Sequence, residues 1–245
     1  MKAEPAVQRR LLDLADADAE LGRIDHRRRT LPELAMIAEA ETTLQVKRDA
    51  VVAAKTSHKD LSREITKQEG EIEAVRARED RDRKLLNDGN VGTRQVTDLE
   101  HELETLSRRQ AALEDDLLEL MERREALELD IKHAQVGLDQ AEETLADAQQ
   151  RRDQALADLE TQQTRRADER EKLVPSFPAD LLALYERVRA QKGIGAGLLR
   201  ARRCGACRME LDRSAIAGIR DAPADNVERC EECGAILVRT AESGL

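Results

Sequence analysis

The 245-residue sequence contains almost no aromatic residues: it has no tryptophan, one phenylalanine (Phe177) and one tyrosine (Tyr185). Aromatic side chains supply much of the apolar area that a globular core buries, and 38% of this chain is charged. The composition therefore excludes one wide core and is typical of long helices that bury a narrow seam of Leu, Ile, Val and Ala. We expect Phe177 and Tyr185 to lie in a core that joins the helices to a C-terminal head, rather than on a surface that stacks bases.

Long apolar runs are absent as well. No apolar segment approaches the ~20 residues that a transmembrane helix needs, and the first residues lead into charged sequence without the apolar region of a secretory signal. The sequence therefore predicts a cytoplasmic protein without a membrane partner. A formal net charge of -10 also argues against a protein that coats nucleic acid through bulk electrostatics, but it leaves room for a local basic patch.

The four cysteines form two C-x-x-C pairs near the C-terminus: Cys204, Cys207, Cys230 and Cys233. The two-residue gap lets both thiolates of a pair turn inward, and two such pairs supply four sulfur ligands at the corners of a tetrahedron. The pattern predicts one structural Zn²⁺ with no open position for a substrate. Gly234 follows the second pair and can adopt the positive φ that such a turn needs. Two disulfides or a dithiol redox switch are the alternatives to zinc.

The N-terminal sequence predicts a short helix over about residues 4–29 and a long helix over about 31–87, with a kink near residue 30. Thr30 and Glu33 match a capping box at the start of the second helix. The long helix carries a heptad series that is typical of a coiled-coil seam: Ile37, Leu44, Val51, His58, Ile65 and Ile72. We interpret His58 as a polar residue that specifies the register of the seam; a ligand or a pH sensor is the alternative.

The heptad pattern stops at residues 87–93, where two glycines and two asparagines predict a turn, and Thr93 is the expected N-cap of the next helix. The seam of that helix has a leucine half (Leu99, Leu106, Leu113, Leu120 and Leu127) and an alanine half (Ala134, Ala141, Ala148 and Ala155). Matched arm lengths and a short turn favour an antiparallel hairpin within one chain over a parallel or swapped dimer. The turn is either a contact for a partner or a solvated loop.

Two prolines, Pro175 and Pro178, end the second arm, and a further helix is expected over about residues 179–192. The segment Gly193–Gly197 resembles a phosphate loop but lacks the Lys-Ser/Thr pair of that motif, so we interpret it as a helix C-cap and a turn. Ser214 is the expected cap of a short helix between the cysteine pairs. Short strands are expected around 197–203, 208–212, 226–229 and 235–240.

The predicted fold is therefore mainly α. It consists of a long antiparallel coiled-coil helical hairpin over residues 1–172, followed over residues 173–245 by a connecting helix and a small β-rich zinc ribbon. A head with so few aromatic residues needs zinc for much of its folding free energy.

Four arginines flank the first cysteine pair without an intervening acidic residue: Arg200, Arg202, Arg203 and Arg208. Because arginine suits phosphate recognition, these residues are candidate contacts for RNA or DNA, with a solvated polar rim as the alternative. No Ser/His/Asp or Cys/His constellation is readable, and the four histidines are spread along the helices. We therefore expect no enzymatic activity and no small-molecule substrate.

The sequence resembles a bacterial family of C4-type zinc-ribbon proteins with an N-terminal coiled-coil hairpin, described as predicted nucleic-acid-binding proteins. The most specific part of the resemblance is Cys204-Gly-Ala-Cys207-Arg-Met209 together with Arg229-Cys230-Glu-Glu-Cys233-Gly234-Ala-Ile-Leu-Val-Arg239. The composition, rich in Ala and Arg, is similar to that of the actinobacterial branch. The family's Asn-x-Arg-Glu-type motif after the hairpin turn is kept at Arg94, whereas Gln95 replaces the acidic residue.

Relatives in flagellated or type III-secreting bacteria are associated with an alternative sigma factor, with messenger RNA and with secretion components, so the resemblance implies an adaptor. We expect a non-enzymatic zinc-ribbon adaptor whose head binds nucleic acid or a transcription or translation component, and whose hairpin binds a protein partner. The alternative is a purely protein-binding chaperone or assembly scaffold.

Overall fold

The computed structural model describes residues 1–89 and 92–245. Long helices occupy most of its first 173 residues. They are α1 (Pro5–Arg29), α2 (Pro32–Asn87) and α3 (Thr93–Leu173). These bounds confirm the predicted helices and the break near residue 30. Asn90 and Val91 of the predicted turn lie outside the described residues, and Thr93 is the first residue of α3 rather than its N-cap. None of the helices in the described ranges is both long and apolar enough to cross a membrane.

The break between α1 and α2 differs from the predicted capping box. The Thr30 hydroxyl donates a hydrogen bond to the His26 carbonyl oxygen at 2.9 Å, and the Thr30 amide donates to the same oxygen at 3.1 Å. Thr30 therefore terminates α1 instead of capping α2, and the prediction was wrong on this point. A threonine between two helices can serve either of them, and the path of the chain decides which.

Residues 35–150 form one compact unit, in which α2 and the first part of α3 run antiparallel. Arg48 pairs with Glu142, whereas Gln68, further along α2, donates through Nε2 to the Leu113 carbonyl oxygen at 3.1 Å. The seam buries members of the predicted heptad series, namely Ile37, Leu44, Val51, Ile65 and Ile72 of α2 and Leu106, Leu120, Ala141 and Ala148 of α3. These contacts confirm the antiparallel hairpin.

Residues 1–34 and 151–245 form the second compact unit, which contains a small sheet. Its strands are β1 (Ala196–Arg200), β2 (Arg203–Cys204), β3 (Glu228–Arg229) and β4 (Ile236–Val238), in the spatial order β2-β1-β4-β3. β1 pairs parallel with β4, and the other neighbouring strands are antiparallel. Helices α4 (Ala179–Lys192) and α5 (Arg213–Asp221) accompany the sheet. The predicted fold class is confirmed, and the predicted domains 1–172 and 173–245 stay a prediction.

Two local predictions for the head are wrong. Residues 208–212, all of them described, form no strand, and Glu210 makes an isolated antiparallel bridge with Arg203. Helix α5 is capped by Asp212, whose carboxylate accepts a hydrogen bond from the Ala215 amide at 2.7 Å. Ser214 donates to the same carboxylate instead of capping the helix, because the aspartate stands at the position that precedes the first helical turn.

The core of the second unit joins α1 to the sheet. Leu11 and Leu14 of α1 pack in one buried cluster with Phe177, Tyr185 and residues of β1 and β4. Tyr185 is fully buried and Phe177 nearly so. Both aromatic residues therefore lie in the predicted joint between a long helix and the head.

The N-terminus also pairs with the head, which sequence reasoning missed. Lys2 and Asn226 form an isolated antiparallel bridge, and the Ala3 amide donates to the Asp225 carbonyl oxygen at 2.8 Å. Only four residues precede Pro5, which is too few to show strand periodicity, so the sequence carried no signal for this pairing.

Candidate metal centre

The two cysteine pairs form turns with matching hydrogen bonds, and we call each turn a knuckle. In the first knuckle the Arg208 amide donates to the Cys204 carbonyl oxygen at 2.7 Å, and in the second the Gly234 amide donates to the Cys230 carbonyl oxygen at 2.8 Å. Gly234 has a φ of +77°, as predicted, and Arg208 holds the equivalent position with a φ of +65°. The first knuckle therefore keeps the same backbone path with a residue that adopts it less readily.

The four sulfur atoms lie where one tetrahedral ion would hold them. Cys204 Sγ is 3.8 Å from Cys233 Sγ, and Cys207 Sγ is 3.9 Å from Cys230 Sγ. All four sulfurs lie within 4.8 Å of one another. Zn–S bonds of about 2.3 Å place tetrahedral sulfur ligands about 3.8 Å apart, which the separations of 3.8 and 3.9 Å match. A disulfide needs an S–S distance of about 2.05 Å, so the four thiols are free and their arrangement fits one structural Zn²⁺.

Backbone amides aim at the sulfurs and favour their thiolate forms. Burial raises the pKa of the Cys204 thiol to about 12, although the amides of Ala206 and Cys207 oppose this shift. Burial also acts to raise the pKa of Cys207, but the Met209 amide and the neighbouring thiols outweigh it and lower that pKa below its ordinary value. A metal ion must therefore displace a proton from Cys204, as zinc does at thiol sites.

Apolar residues close the space around both knuckles. Cys204 and Cys230, the first member of each pair, are buried in one cluster with Leu199, Leu211, Ile219 and Leu237, and Cys207 and Cys233 pack against its edge. Burial of this kind keeps water from competing for the ion. The centre is therefore built from four thiols in an apolar setting, as in closed structural zinc sites.

The candidate phosphate-binding arginines lie on the exposed surface around the first knuckle. Arg200 and Arg203 are partners across the β1–β2 hairpin, and Ala201 and Arg202 form the two-residue turn between these strands. Arg208 follows the first knuckle directly. The structure therefore places the four arginines on one hairpin and the adjoining knuckle.

Two carboxylates lie near this group without neutralising it fully. Glu210 lies 4.0 Å from Arg202 and 3.9 Å from Arg203, and Glu242 lies 3.8 Å from Arg200. These separations exceed hydrogen-bond distance, and the side chains are largely exposed, so the pairs contribute little to stability. The guanidinium groups therefore keep donors that face solvent.

Comparison with family models identifies both parts of the chain. Residues 14–193 match the model described as a CT398-like coiled coil hairpin domain, and residues 203–237 match the model of a C4-type zinc ribbon domain. The chain belongs to the CT398-like hairpin family. It is 45% identical over 239 residues to an uncharacterized protein of Mycobacterium tuberculosis, covering 98% of each chain. It is 35% identical over 227 residues to one of Mycobacterium leprae, covering 91% of this chain and 96% of the relative.

Solved structures of similar proteins share the fold. A structure from Mycobacterium smegmatis matches with a TM-score of 0.87 at 47% identity, covering 98% of this chain and 100% of that chain. The structure of CT398 from Chlamydia trachomatis matches with a TM-score of 0.66 at 16% identity, covering 95% of this chain and 97% of that chain. The second likeness shows the fold alone. Together these findings confirm the resemblance to zinc-ribbon hairpin proteins and the actinobacterial relatives.

The glycine-rich segment of this CT398-like protein serves packing between α4 and β1. Gly193 is the C-cap of α4 with a φ of +82°, as predicted. A Cβ atom at Gly195 would lie 2.5 Å from two ring atoms of Tyr185, so glycine lets the backbone pass close to the ring. Capping and packing account for these two glycines without a bound nucleotide.

A buried ionic cluster joins α1, α3 and α4 of the CT398-like chain, and sequence reasoning missed it. The Asp18 carboxylate accepts from the Tyr185 hydroxyl at 2.6 Å and from Arg170 Nε at 2.7 Å, and it lies 3.0 Å from Arg189. Arg170 also pairs with Glu186. Burial and the hydrogen bond to Asp18 raise the pKa of Tyr185 far above its ordinary value, so the phenol stays a donor. A charged residue on the apolar face of α1 is the signal that could have revealed this cluster.

Proposed function

We propose that this protein is a non-enzymatic zinc-dependent adaptor of the cytoplasm whose head binds the phosphate backbone of RNA or DNA. Four thiols make a closed ligand set that leaves no coordination position for a substrate, which supports a structural role for the metal. A protein partner would bind along the hairpin. The observation that carries the nucleic-acid part of the proposal is the exposed turn between β1 and β2.

That turn presents arginine at a conformational cost. Ala201 and Arg202 have φ values of +45° and +62°, the pattern of a two-residue hairpin turn that normally uses asparagine and glycine. A side chain in the left-handed region costs about 1–2 kcal/mol per residue, so local stability does not explain why these residues stand here. Strained residues of this kind cluster at binding sites. Arg202 lies at the tip of the hairpin, and Arg200 and Arg203 lie directly behind it. This arrangement supports the proposal that the three arginines contact neighbouring phosphates.

The chemistry of the head favours phosphates over bases. Phe177 and Tyr185 are both buried, and proteins that read single strands usually stack bases on exposed aromatic rings. Arginine guanidinium groups that contact phosphates fix the position of a protein on the nucleic acid without recognising the base sequence. We therefore expect duplex DNA or folded RNA to bind at least as well as an unstructured strand.

Fluorescence anisotropy of labelled duplex DNA, folded RNA and single-stranded RNA tests the proposal, with zinc-loaded protein at low and at near-physiological salt. The protein is expected to bind with a Kd in the micromolar range or tighter, and binding should weaken as salt rises. The variant Arg200→Ala/Arg202→Ala/Arg203→Ala should bind at least about tenfold more weakly at low salt. It should also lower the slope of log K against log salt by about 2–3, since each phosphate contact contributes about 0.9.

A second triple variant separates the hairpin from bulk charge. Arg108→Ala/Arg109→Ala/Arg123→Ala removes the same formal charge from exposed positions of α3 and is expected to keep most of the affinity. Equal losses in the two variants would mean that net charge, and not the arginine turn, governs binding. No binding by the unmodified protein at low salt would show that the nucleic-acid proposal is wrong.

A purely protein-binding chaperone or assembly scaffold is the second candidate function. Leu118, Leu129 and Val136 of α3 are 60%, 55% and 55% exposed, and helix geometry places them within about 20° of one another around the axis. Glu122 and Glu125 lie between these residues on the same line of the helix, so a partner would contact separate apolar side chains there rather than a continuous apolar patch. A purified partner that stays bound after nuclease treatment and is lost in Leu118→Asp/Leu129→Asp would favour this function.

A further inference from the structure

The loop over residues 222–227, which leads through β3 to Cys230, is paired with the N-terminal segment (residues 1–8). The Ala3 amide donates to the Asp225 carbonyl oxygen at 2.8 Å, and the Val227 amide donates to the Met1 carbonyl oxygen at 3.1 Å. Ala3 and Val227 also belong to one buried apolar cluster. The last part of the chain before the second knuckle is therefore ordered against the first residues of the chain.

Gln8 strengthens this pairing from the side of α1. Its side chain is buried with 3% exposure, and Nε2 lies within hydrogen-bond distance of the carbonyl oxygens of Ala3 (2.8 Å), Ala224 (3.3 Å) and Asn226 (3.4 Å). A buried amide without partners destabilises a protein. Any movement of the loop would therefore leave the Gln8 amide with fewer partners in an apolar setting.

Arg239, directly after β4, holds the same loop from the other side. Nη1 donates to the carbonyl oxygens of Ile219 and Ala222, and Nη2 donates to those of Pro223 and Asn226, at distances from 2.6 to 3.0 Å. The rigid guanidinium fork fits such a set of fixed acceptors. The Asn226 carbonyl oxygen accepts from both Gln8 and Arg239, so the two side chains act on one point of the loop.

We propose that zinc binding and docking of the N-terminal segment are thermodynamically coupled, with Gln8 and Arg239 as positioning residues for the second knuckle. Zinc fixes Cys230 and Cys233, which fixes β3 and the loop that precedes it. The fixed loop offers the carbonyl oxygens that hold Gln8 and Ala3. Because such coupling is reciprocal, the segment raises zinc affinity by the same factor by which zinc stabilises docking. The proposal does not depend on nucleic-acid binding.

The first test is the zinc affinity of the full chain carrying Gln8→Ala, measured by competition with a chromophoric chelator. We expect an affinity about tenfold lower than that of the unmodified chain. A decrease of this size is typical when a residue that positions the metal ligands is removed from other metal sites. Gln45→Ala is the matched control, because Gln45 is an exposed residue of α2 whose amide bonds Asp49. Equal zinc affinities for Gln8→Ala and the unmodified chain would overturn the proposal.

The second test uses the unmodified chain and remains decisive if Gln8→Ala fails to fold. Removal of zinc by a chelator is expected to speed hydrogen exchange at the Ala3 and Val227 amides by about tenfold or more, within the usual range of coupling between sites. The amides of Leu61 and Ile65 in the hairpin seam serve as the internal reference. Loss of protection at Cys230 with unchanged exchange at Ala3 and Val227 would contradict the coupling.

Discussion

Tyr185 is held at both ends of its side chain. The hydroxyl donates to the buried Asp18 carboxylate at 2.6 Å, and the ring is fully buried against the backbone at Gly195. The raised pKa keeps the phenol protonated, so the hydrogen bond to Asp18 persists through the neutral range. The ring therefore cannot move away from an atom added at Gly195.

Gly195→Ala should destabilise the protein by about 1–3 kcal/mol, as overpacking of a tight core does. The added Cβ would meet two Tyr185 ring atoms at 2.5 Å, and Asp18 prevents the ring from shifting. Gly218→Ala is the control, because nothing lies within 4 Å of a Cβ at this position of α5 and alanine favours the helix by about 0.5–1 kcal/mol. Urea unfolding followed by tyrosine fluorescence measures both changes. If Gly195→Ala left the free energy of unfolding unchanged, the backbone at this position would have to relax to make room for the added Cβ.

At the scale of the element, the seam of α2 contains a charged residue where the heptad series calls for an apolar one. Glu79 follows Ile65 and Ile72 at intervals of one heptad, and its side chain is 5% exposed. One carboxylate oxygen lies 3.0 Å from Arg83, whereas Oε1 has no partner within the described ranges. The desolvation of a buried carboxylate that has incomplete partners destabilises a fold by more than a single ion pair stabilises it. Glu79 therefore weakens the hairpin.

Glu79→Leu is therefore expected to raise the free energy of unfolding by about 1–3 kcal/mol. The comparison variant is Glu73→Leu, an exposed position of the same helix, where the change should stay within about 0.5 kcal/mol. Urea unfolding followed by circular dichroism at 222 nm measures the difference. A less stable Glu79→Leu would show that the carboxylate makes a favourable interaction that outweighs its desolvation.

At the scale of the whole molecule, two compact units share the continuous helix α3. Zinc acts in only one of them, the unit of residues 1–34 and 151–245. That unit also contains Tyr185, the single tyrosine of a chain without tryptophan. Tyrosine fluorescence therefore reports on the zinc-binding unit, whereas helical circular dichroism reports on both units.

Zinc removal should separate these two signals. Structural zinc contributes folding free energy to the unit that binds it, so the tyrosine-monitored Tm is expected to fall by about 10 °C or more after chelation. Helical ellipticity at 222 nm should change little at room temperature, because residues 35–150 hold no zinc ligand. Restored zinc should restore the tyrosine transition. Two signals that shift together would mean that the units unfold as one.

The sequence alone determined the long helices and the zinc ligands, because heptad spacing and C-x-x-C spacing are local patterns that neighbouring residues impose. The matched arm lengths and the short turn favoured the antiparallel hairpin over a dimer, and the contacts between α2 and α3 decided it. It determined neither which helix Thr30 serves nor which residue caps α5, since the competing partners lie within a few positions and only the chain path selects one. Tertiary structure alone decided the Asp18 cluster and the pairing of the N-terminal segment with the loop before Cys230. Asp18 and Tyr185 stand 167 positions apart, and no local pattern encodes a contact that forms only when α1 packs against the folded head.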